Sequence, residues 1–460
     1  MTSTVTKRTR IERRAALHRL IWRWHFYAGL FCIPFVISLA ITGSIYLFRP
    51  QIEAWLDAPF HRLAADTTAS PSAQVSAALA AVPGATLKAY QLPFETGDAA
   101  EILVSRDGVA SRVYVHPTTA TVLRVVADEQ RPMRVLAHFH GELLLGDRGS
   151  MLVELAASWA IVLLMTGLYL WWPRGRSGLA GIVYPRLRGD ERVFWRDLHA
   201  VTAFWVSWLA LFLLVSGLPW AKSWGSLLTE VRQHTSVVAS RTDWPIGAGE
   251  ASTHDAGHEH ADHEHGADTT VLTTPFDPAA LDRIVASARG LGLEPPVLVS
   301  PPSPQSSRWS AKSDASNRPR RADAEFDADG RLARRTEFAE RPLIDRVIGY
   351  GVAAHEGQLF GALNQALGVF TALGLIVVCV SAVRMWWKRR PDGELGARTR
   401  IADSRIPITL FVIIVALAVM LPLLGLTLIA IVLIERLALR RIAPASRFLG
   451  LDGSLRVAER

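Results

Sequence analysis

The chain has 460 residues, half of them apolar and only 20% charged, and its mean hydropathy is +0.21. That balance excludes an ordinary soluble domain and predicts a polytopic α-helical membrane protein. The formal charge of +8 sits in short Arg and Lys clusters beside apolar runs, so it reports membrane topology rather than a nucleic-acid surface.

Lys7, Arg8, Arg10, Arg13, Arg14 and Arg19 precede the first apolar run, at about 26–48. This run is too long for a signal-peptide core and lacks a small-residue cleavage site, so it reads as a retained anchor. Segment 49–150 then reads as a folded outward module. Its 71–82 stretch is an amphipathic helix, and 86–93, 100–106, 111–115 and 121–126 alternate as strands, with a hairpin turn at Asp107 and Gly108. A second span at 151–172 leads into a loop with Arg174, Arg176, Arg186, Arg188, Arg192 and Arg196. The third span, at about 200–220, opens a second outward segment. There 277–289 reads as helix and 296–300, 307–313, 321–326 and 331–338 as strands, with a turn at Asp329 and Gly330. Between span and module lies a biased stretch, 240–272, where His254, His258, His260, His263 and His265 stand among acidic residues. Its composition reads as disordered, with affinity for a metal ion.

A fourth span at 361–387 ends at Lys388, Arg389 and Arg390. The final apolar run, 406–437, would rise roughly 48 Å as one helix, against a hydrocarbon core of about 30 Å. Pro422 and Gly425 interrupt it, which favours a hairpin of two short helices over one long tilted helix. With six spans, all the cationic clusters, including Arg436, Arg440 and Arg441, fall on one side, and both termini are cytoplasmic. The resulting division is 1–48 (N-terminus and first span), 49–150 (first module), 151–172 (second span), 173–198 (loop) and 199–220 (third span). There follow 221–355 (second module, with its His-rich insert at 250–268), 356–387 (fourth span), 388–405 (loop), 406–437 (hairpin) and 438–460 (tail). Cys32 and Cys379 both lie inside spans, so the outward segments hold no disulfide framework.

The chain repeats itself. A shift of 215 lays 140–172 on 355–387 without a gap, matching His140 with His355, Gly146 with Gly361, and Trp171 and Trp172 with Trp386 and Trp387. A shift of 174 lays His25 on His199, and Thr42 and Gly43 on Ser216 and Gly217. Each repeat therefore has one histidine at the start of its first span and another before its second. Two parallel copies place His25 level with His199 near the inner face, and His140 level with His355 near the outer face. Histidine at membrane depth is costly unless paired or bound, and two opposed imidazoles are what a bis-histidine haem requires.

WRWHFYAGLF at 22–31, TG at 42–43, HGELLLGDRG at 140–149 and HEGQLFG at 355–361 resemble the PepSY-associated transmembrane family. VYVHPTTATVL at 113–123 resembles the PepSY strand–turn–strand, with His116 and Ala120 departing from the usual turn residues. The resemblance covers roughly residues 15–400 and implies two tandem TM–PepSY–TM repeats in a bacterial inner membrane. It also implies redox work linked to iron uptake, as in ferric-siderophore reductase-like members holding b-type haems.

The expected ligands of two haems b are thus His25 with His199 and His140 with His355. His138, two residues from His140, is the alternative outer ligand, although position 353 in the other repeat is Ala. His18 reads as a surface residue or propionate partner; Arg19, Arg23 and Arg196 either pair with propionates or only mark topology. Gly29 and Ala203 fall one turn after His25 and His199, where small residues leave room for a porphyrin edge; Gly43 and Gly217 serve either that or close helix approach. If the second span were a straight helix from His140 to Trp172, it would rise about 48 Å and separate the haems widely. A break near Gly146 and Gly149 relieves this in the first repeat; the second has only Gly357 and Gly361.

The leading expectation is a transmembrane electron conduit that reduces a ferric siderophore or another ferric complex at the outer face. No nucleotide-binding motif is present, so the donor is a quinol, a soluble carrier or another reductase. Two alternatives differ in class. One is a haem-free, membrane-anchored PepSY protein that binds or regulates an envelope partner. The other is a divalent-metal permease, disfavoured because Glu154 stands nearly alone as an intramembrane acid.

Overall fold

The computed structural model describes residues 2–64, 67–173, 178–188, 190–234, 277–303, 306–397 and 406–451, with the first helix's side chains described from Arg13. His254, His258, His260, His263 and His265 lie outside the described residues.

The first apolar run forms the second half of α1 (Thr2–Tyr46). Thr42 and Ser44 donate to the carbonyls of Ser38 and Ala40, at 2.8 and 2.7 Å, so their hydroxyls are satisfied without water. A short α2 (Arg49–Asp57) follows, with Pro50 in its first turn. The first module has α3 (Pro71–Ala81), β1 (Thr86–Gln91), β2 (Ala100–Arg106), β3 (Val109–Val115) and β4 (Val122–Ala127). It returns to the membrane through α4 (Pro132–Glu142) and α5 (Asp147–Trp171). Next come α6 (Glu191–Gly217), α7 (Lys222–His234) and α8 (Pro278–Gly290). The second set of strands is β5 (Val297–Ser300), β6 (Trp309–Ser313), β7 (Ala322–Phe326) and β8 (Leu332–Glu337). After α9 (Leu343–His355) and α10 (Ala362–Arg389), the chain ends in α11 (Ile408–Met420), α12 (Pro422–Ile434) and α13 (Ala443–Phe448).

Among the described residues five helical segments are long and apolar enough to cross a membrane: Arg13–Tyr46, Asp147–Trp171, Glu191–Trp220, Ala362–Arg389 and Pro422–Leu439. The protein is therefore a multi-pass membrane protein. The sixth expected span, α11, has 13 residues and rises only about 20 Å. The predicted interruption falls at Leu421, whose φ of −125° and ψ of 83° end the helix before Pro422 starts the next. A Cβ built on Gly425 would lie 2.9 Å from the Ala418 carbonyl, so the two arms fold tightly together and glycine permits it. The main bundle is α1, α5, α6 and α10, packed on one another.

The two expected modules differ from separate units in one respect: their strands form a single antiparallel sheet, in the order β4-β3-β2-β1-β5-β6-β7-β8. Each four-stranded half has an edge of unsatisfied backbone groups, and β1 and β5 satisfy each other. Tyr90 pairs with Val299 and Gln91 with Leu298, and Leu92 N donates to Val297 O at 2.9 Å. Helices α3 and α8 lie side by side on one face, joined where Ser72 N and Oγ donate to the Asp282 carboxylate at 2.9 and 2.6 Å. Val75, Leu281, Ile284, Ile102, Val104, Val299 and Phe326 form one core beneath them.

The long second-span helix is broken in both repeats. Leu143, Leu144 and Gly146 have φ of +52°, +58° and +57°, which separates α4 from α5. Gly357 and Gly361, at +75° and +59°, separate α9 from α10. A Cβ on Gly149 would come within 1.7 Å of the Glu142 carbonyl oxygen, so the turn closes only over glycine. The break that was weakly signalled in the second repeat is thus present there as well.

Candidate functional site

Four helices of the bundle and the ends of α4 and α9 surround one cavity of about 1680 Å³, lined mainly by apolar side chains and by His25, His140, His199 and His355. This exceeds the roughly 300–1,000 Å³ of a cleft for one small ligand.

At the end of the bundle remote from the sheet domain, called inner below, α1 carries His25 and α6 carries His199. Their ring centres are 6.3 Å apart and their planes meet at 84°. His25 Nδ1 lies 3.0 Å from Thr166 Oγ1 on α5. That hydroxyl already donates to Val162 O at 2.7 Å, so it accepts from His25 and Nδ1 bears the proton. His199 Nδ1 lies 3.0 Å from Val378 O, a group that can only accept, and 3.4 Å from Ser381 Oγ. Its Nδ1 is protonated too. Thr166 and Ser381 are themselves one 215-residue shift apart.

The outer end follows the same rule. His140 is in the last turn of α4, with Nδ1 2.8 Å from Thr42 Oγ1 on α1. His355 closes α9, with Nδ1 2.9 Å from Ser216 Oγ on α6. Both hydroxyls are committed as donors to their own helices, Thr42 to Ser38 O and Ser216 to Phe212 O. All four imidazoles are thus engaged through Nδ1 by a neighbouring helix, the kind of second partner that orients a ligand histidine.

The glycines have a narrower role than expected. A Cβ on Gly43 would sit 3.1 Å from His140 Cε1, and one on Gly217 would sit 3.5 Å from His355 Cε1. They seat imidazole rings rather than simply bringing helices together. Gly167, not singled out in the sequence, does the same for His25 at 3.2 Å. Gly29 and Ala203 line the cavity as expected.

His138 faces elsewhere. Its Nε2 is 2.6 Å from Glu129, and its Nδ1 contacts Glu142. Burial alone would lower its pKa, but the hydrogen bonds to Glu142 and Glu129 outweigh that and raise it. Both ring nitrogens are engaged with carboxylates, unlike those of His140. At the inner end, His18 and Arg196 line the cavity; Arg196 also pairs with Asp197 at 2.6 Å. Arg23 donates to Gly450 O at 2.9 Å, tying α1 to the C-terminal segment. Glu154 accepts from Ser223 N at 2.9 Å at the start of α7.

Seventeen residues separate His25 from Thr42, and as many separate His199 from Ser216. Both intervals are helical, so the inner and outer pairs lie about 25 Å apart along the bundle.

Two imidazoles on opposite sides of one iron, each bonded at about 2 Å, have ring centres roughly 6 Å apart. The inner pair fits that spacing, and the cavity's size and apolar lining suit a flat macrocycle. Among the described residues no cluster of three or more His, Cys, Asp and Glu forms a cage for a bare metal ion. The donor set is pairs of imidazoles.

A family model described as PepSY-associated TM region matches residues 22–389. No curated protein matches the chain.

Proposed function

The chain belongs to the PepSY-associated transmembrane family, and from that premise we propose that it is a di-haem b electron-transfer protein of the bacterial inner membrane. On this reading both termini are cytoplasmic and the sheet domain is periplasmic. The electron acceptor is a ferric siderophore or another ferric complex at the periplasmic face. The donor is a quinol, a soluble carrier or a reductase on the inside. One observation carries the reading: four histidines line one apolar cavity, and each is held at Nδ1 by a hydroxyl or carbonyl of a neighbouring helix.

Haem supplies a one-electron centre whose potential depends on its axial ligands and their hydrogen bonds. The chain's residues hold and tune it. Thr166 and the Val378 carbonyl orient the inner imidazoles; Thr42 and Ser216 orient the outer ones. Ferric iron in a hard-oxygen complex is released on reduction, because Fe(II) binds such ligands more weakly.

Purified protein from haem-replete cells should show a low-spin, six-coordinate b-type spectrum with about two haems per chain. The sequence has no C-x-x-C-H site for covalent attachment. Colourless preparations would instead support the haem-free binding protein.

The hydroxyls give a finer test. Thr42→Val removes the acceptor for His140 Nδ1–H while nearly preserving volume. Loss of such a partner typically costs about 10–100-fold in metal affinity. Haem should leave the outer site faster in Thr42→Val and Ser216→Ala when apomyoglobin is added as a trap, and Thr42→Ser should restore retention. Unchanged release in both variants would show that the hydroxyls do not position the ligands.

A further inference from the structure

Helices α4 and α9 end on the two outer histidines, yet each leaves one face uncovered. On α9 the buried side is Asp345, Gly349, Val352 and Ala353. Its opposite side, Leu343, Val347 and Tyr350, is exposed, with Leu343 at 72% and Val347 at 61%. These residues recur at helical spacing as one stripe without a charge. On α4, Val135 and Phe139 form the shorter equivalent, while Arg134 and His138 turn to Asp128, Glu129 and Glu142.

The α9 stripe is followed along the chain by the exposed apolar side of a membrane span. It passes through exposed Phe360 to Leu363, Leu367 and Phe370 on α10. On the other repeat, Val135 and Phe139 lead through Leu144 and Leu145 to Met151 and Leu152 on α5. The 215-residue shift places Val135 on Tyr350, Leu145 on Phe360 and Leu152 on Leu367. One protein partner would have to cover both repeats, since α4 packs on α1 and α9 on α6. A bilayer surrounds both without further assumption. A tyrosine within the stripe also suits the membrane–water interface.

We propose that α4 and α9 are interfacial helices whose apolar faces lie in the lipid of the leaflet on the sheet-domain side, and that this seat sets the depth of His140 and His355. The surface assignment stands on exposure and continuity alone. Only its consequence for ligand depth rests on the electron-transfer reading. Amphipathic helices of this kind settle about 5–10 Å into the headgroup–acyl boundary.

The test uses the full chain in phosphatidylethanolamine–phosphatidylglycerol liposomes, spin-labelled singly at Leu343→Cys, Val347→Cys, Tyr350→Cys or Phe139→Cys. Cys32 and Cys379 are buried, and an unsubstituted sample reports any labelling of them. Arg283→Cys, on the exposed side of α8, is the aqueous reference. The four sites should collide with dissolved oxygen several-fold more, and with a water-soluble nickel chelate several-fold less, than the reference. Chelate accessibility equal to the reference would overturn the proposal by placing the stripe in water. Low accessibility to both reagents would also overturn it, because it would mean coverage by protein, including a second copy of this chain. Agreement among several labelled positions separates the result from local damage by any one substitution. Lipid exposure in a haem-free protein would leave the surface assignment standing while the electron-transfer reading failed.

Discussion

His199→Ala should remove one of two haem signals and leave the other spectrally intact. The inner ring centres are 6.3 Å apart, and no described hydrogen bond links them to the outer pair. His25→Ala should therefore remove the same signal as His199→Ala, with haem content falling from about two to about one per chain. Thr42 and Ser216, which hold the outer imidazoles, lie about 25 Å away along α1 and α6. Reduced-minus-oxidised spectra and haem quantified as the pyridine complex provide the measurement. If the two substitutions deleted different signals, the pairing across α1 and α6 would be wrong. If both signals vanished together in a protein that still eluted as a folded species, the two sites would not be independent.

Much of the frame was legible because its signals are local. Alternating apolar residues marked each of the eight strands to within a few residues, and Asp107 and Gly108 marked their hairpin through positive φ at both positions. Long apolar runs marked the spans because the bilayer leaves a segment of that length and composition little alternative to a helix. The four histidines stood out only because the chain states them twice. What remained hidden depends on contacts between distant segments. The pairing of Tyr90 with Val299 crosses more than 200 residues, and nothing in either strand specifies its outer neighbour. The Nδ1 partners were missed although Thr42 and Ser216 had already been matched. Their hydroxyls were noted only as part of the repeat and not as acceptors whose own protons are spent one turn back. A clearer signal was available: the 215 shift sets Thr166 on Ser381, a hydroxyl on a hydroxyl. The break before α10 was underread because Gly357 and Gly361 lack the Asp–Arg pair of the first repeat, yet two glycines at positive φ suffice to turn the chain.

Reduction of the ferric acceptor should be vectorial and should depend on the outer histidines. The hydrocarbon core of a bilayer is about 30 Å thick, and the inner and outer pairs divide the distance across it. His355 lies at the end of α9, on the side that carries the sheet domain, whereas His25 and His199 lie toward the Arg-rich ends of α1 and α6. A complex too large to enter the bundle and added at the periplasmic face can then take an electron only from the outer end. In vesicles of known orientation, dithionite-reduced protein should be reoxidised by a ferric siderophore added at the periplasmic face and not at the cytoplasmic face. His355→Ala should slow that reoxidation by at least tenfold, equivalent to about 1.4 kcal/mol or more on the barrier, while the inner signal stays reduced. Ser216→Ala should give a smaller effect in the same direction, since it removes only the hydroxyl that orients His355. Equal reoxidation from either face would contradict the proposed topology. Unaffected reoxidation in His355→Ala would remove the outer pair from the electron path and favour the reading of the chain as a membrane-anchored binding protein.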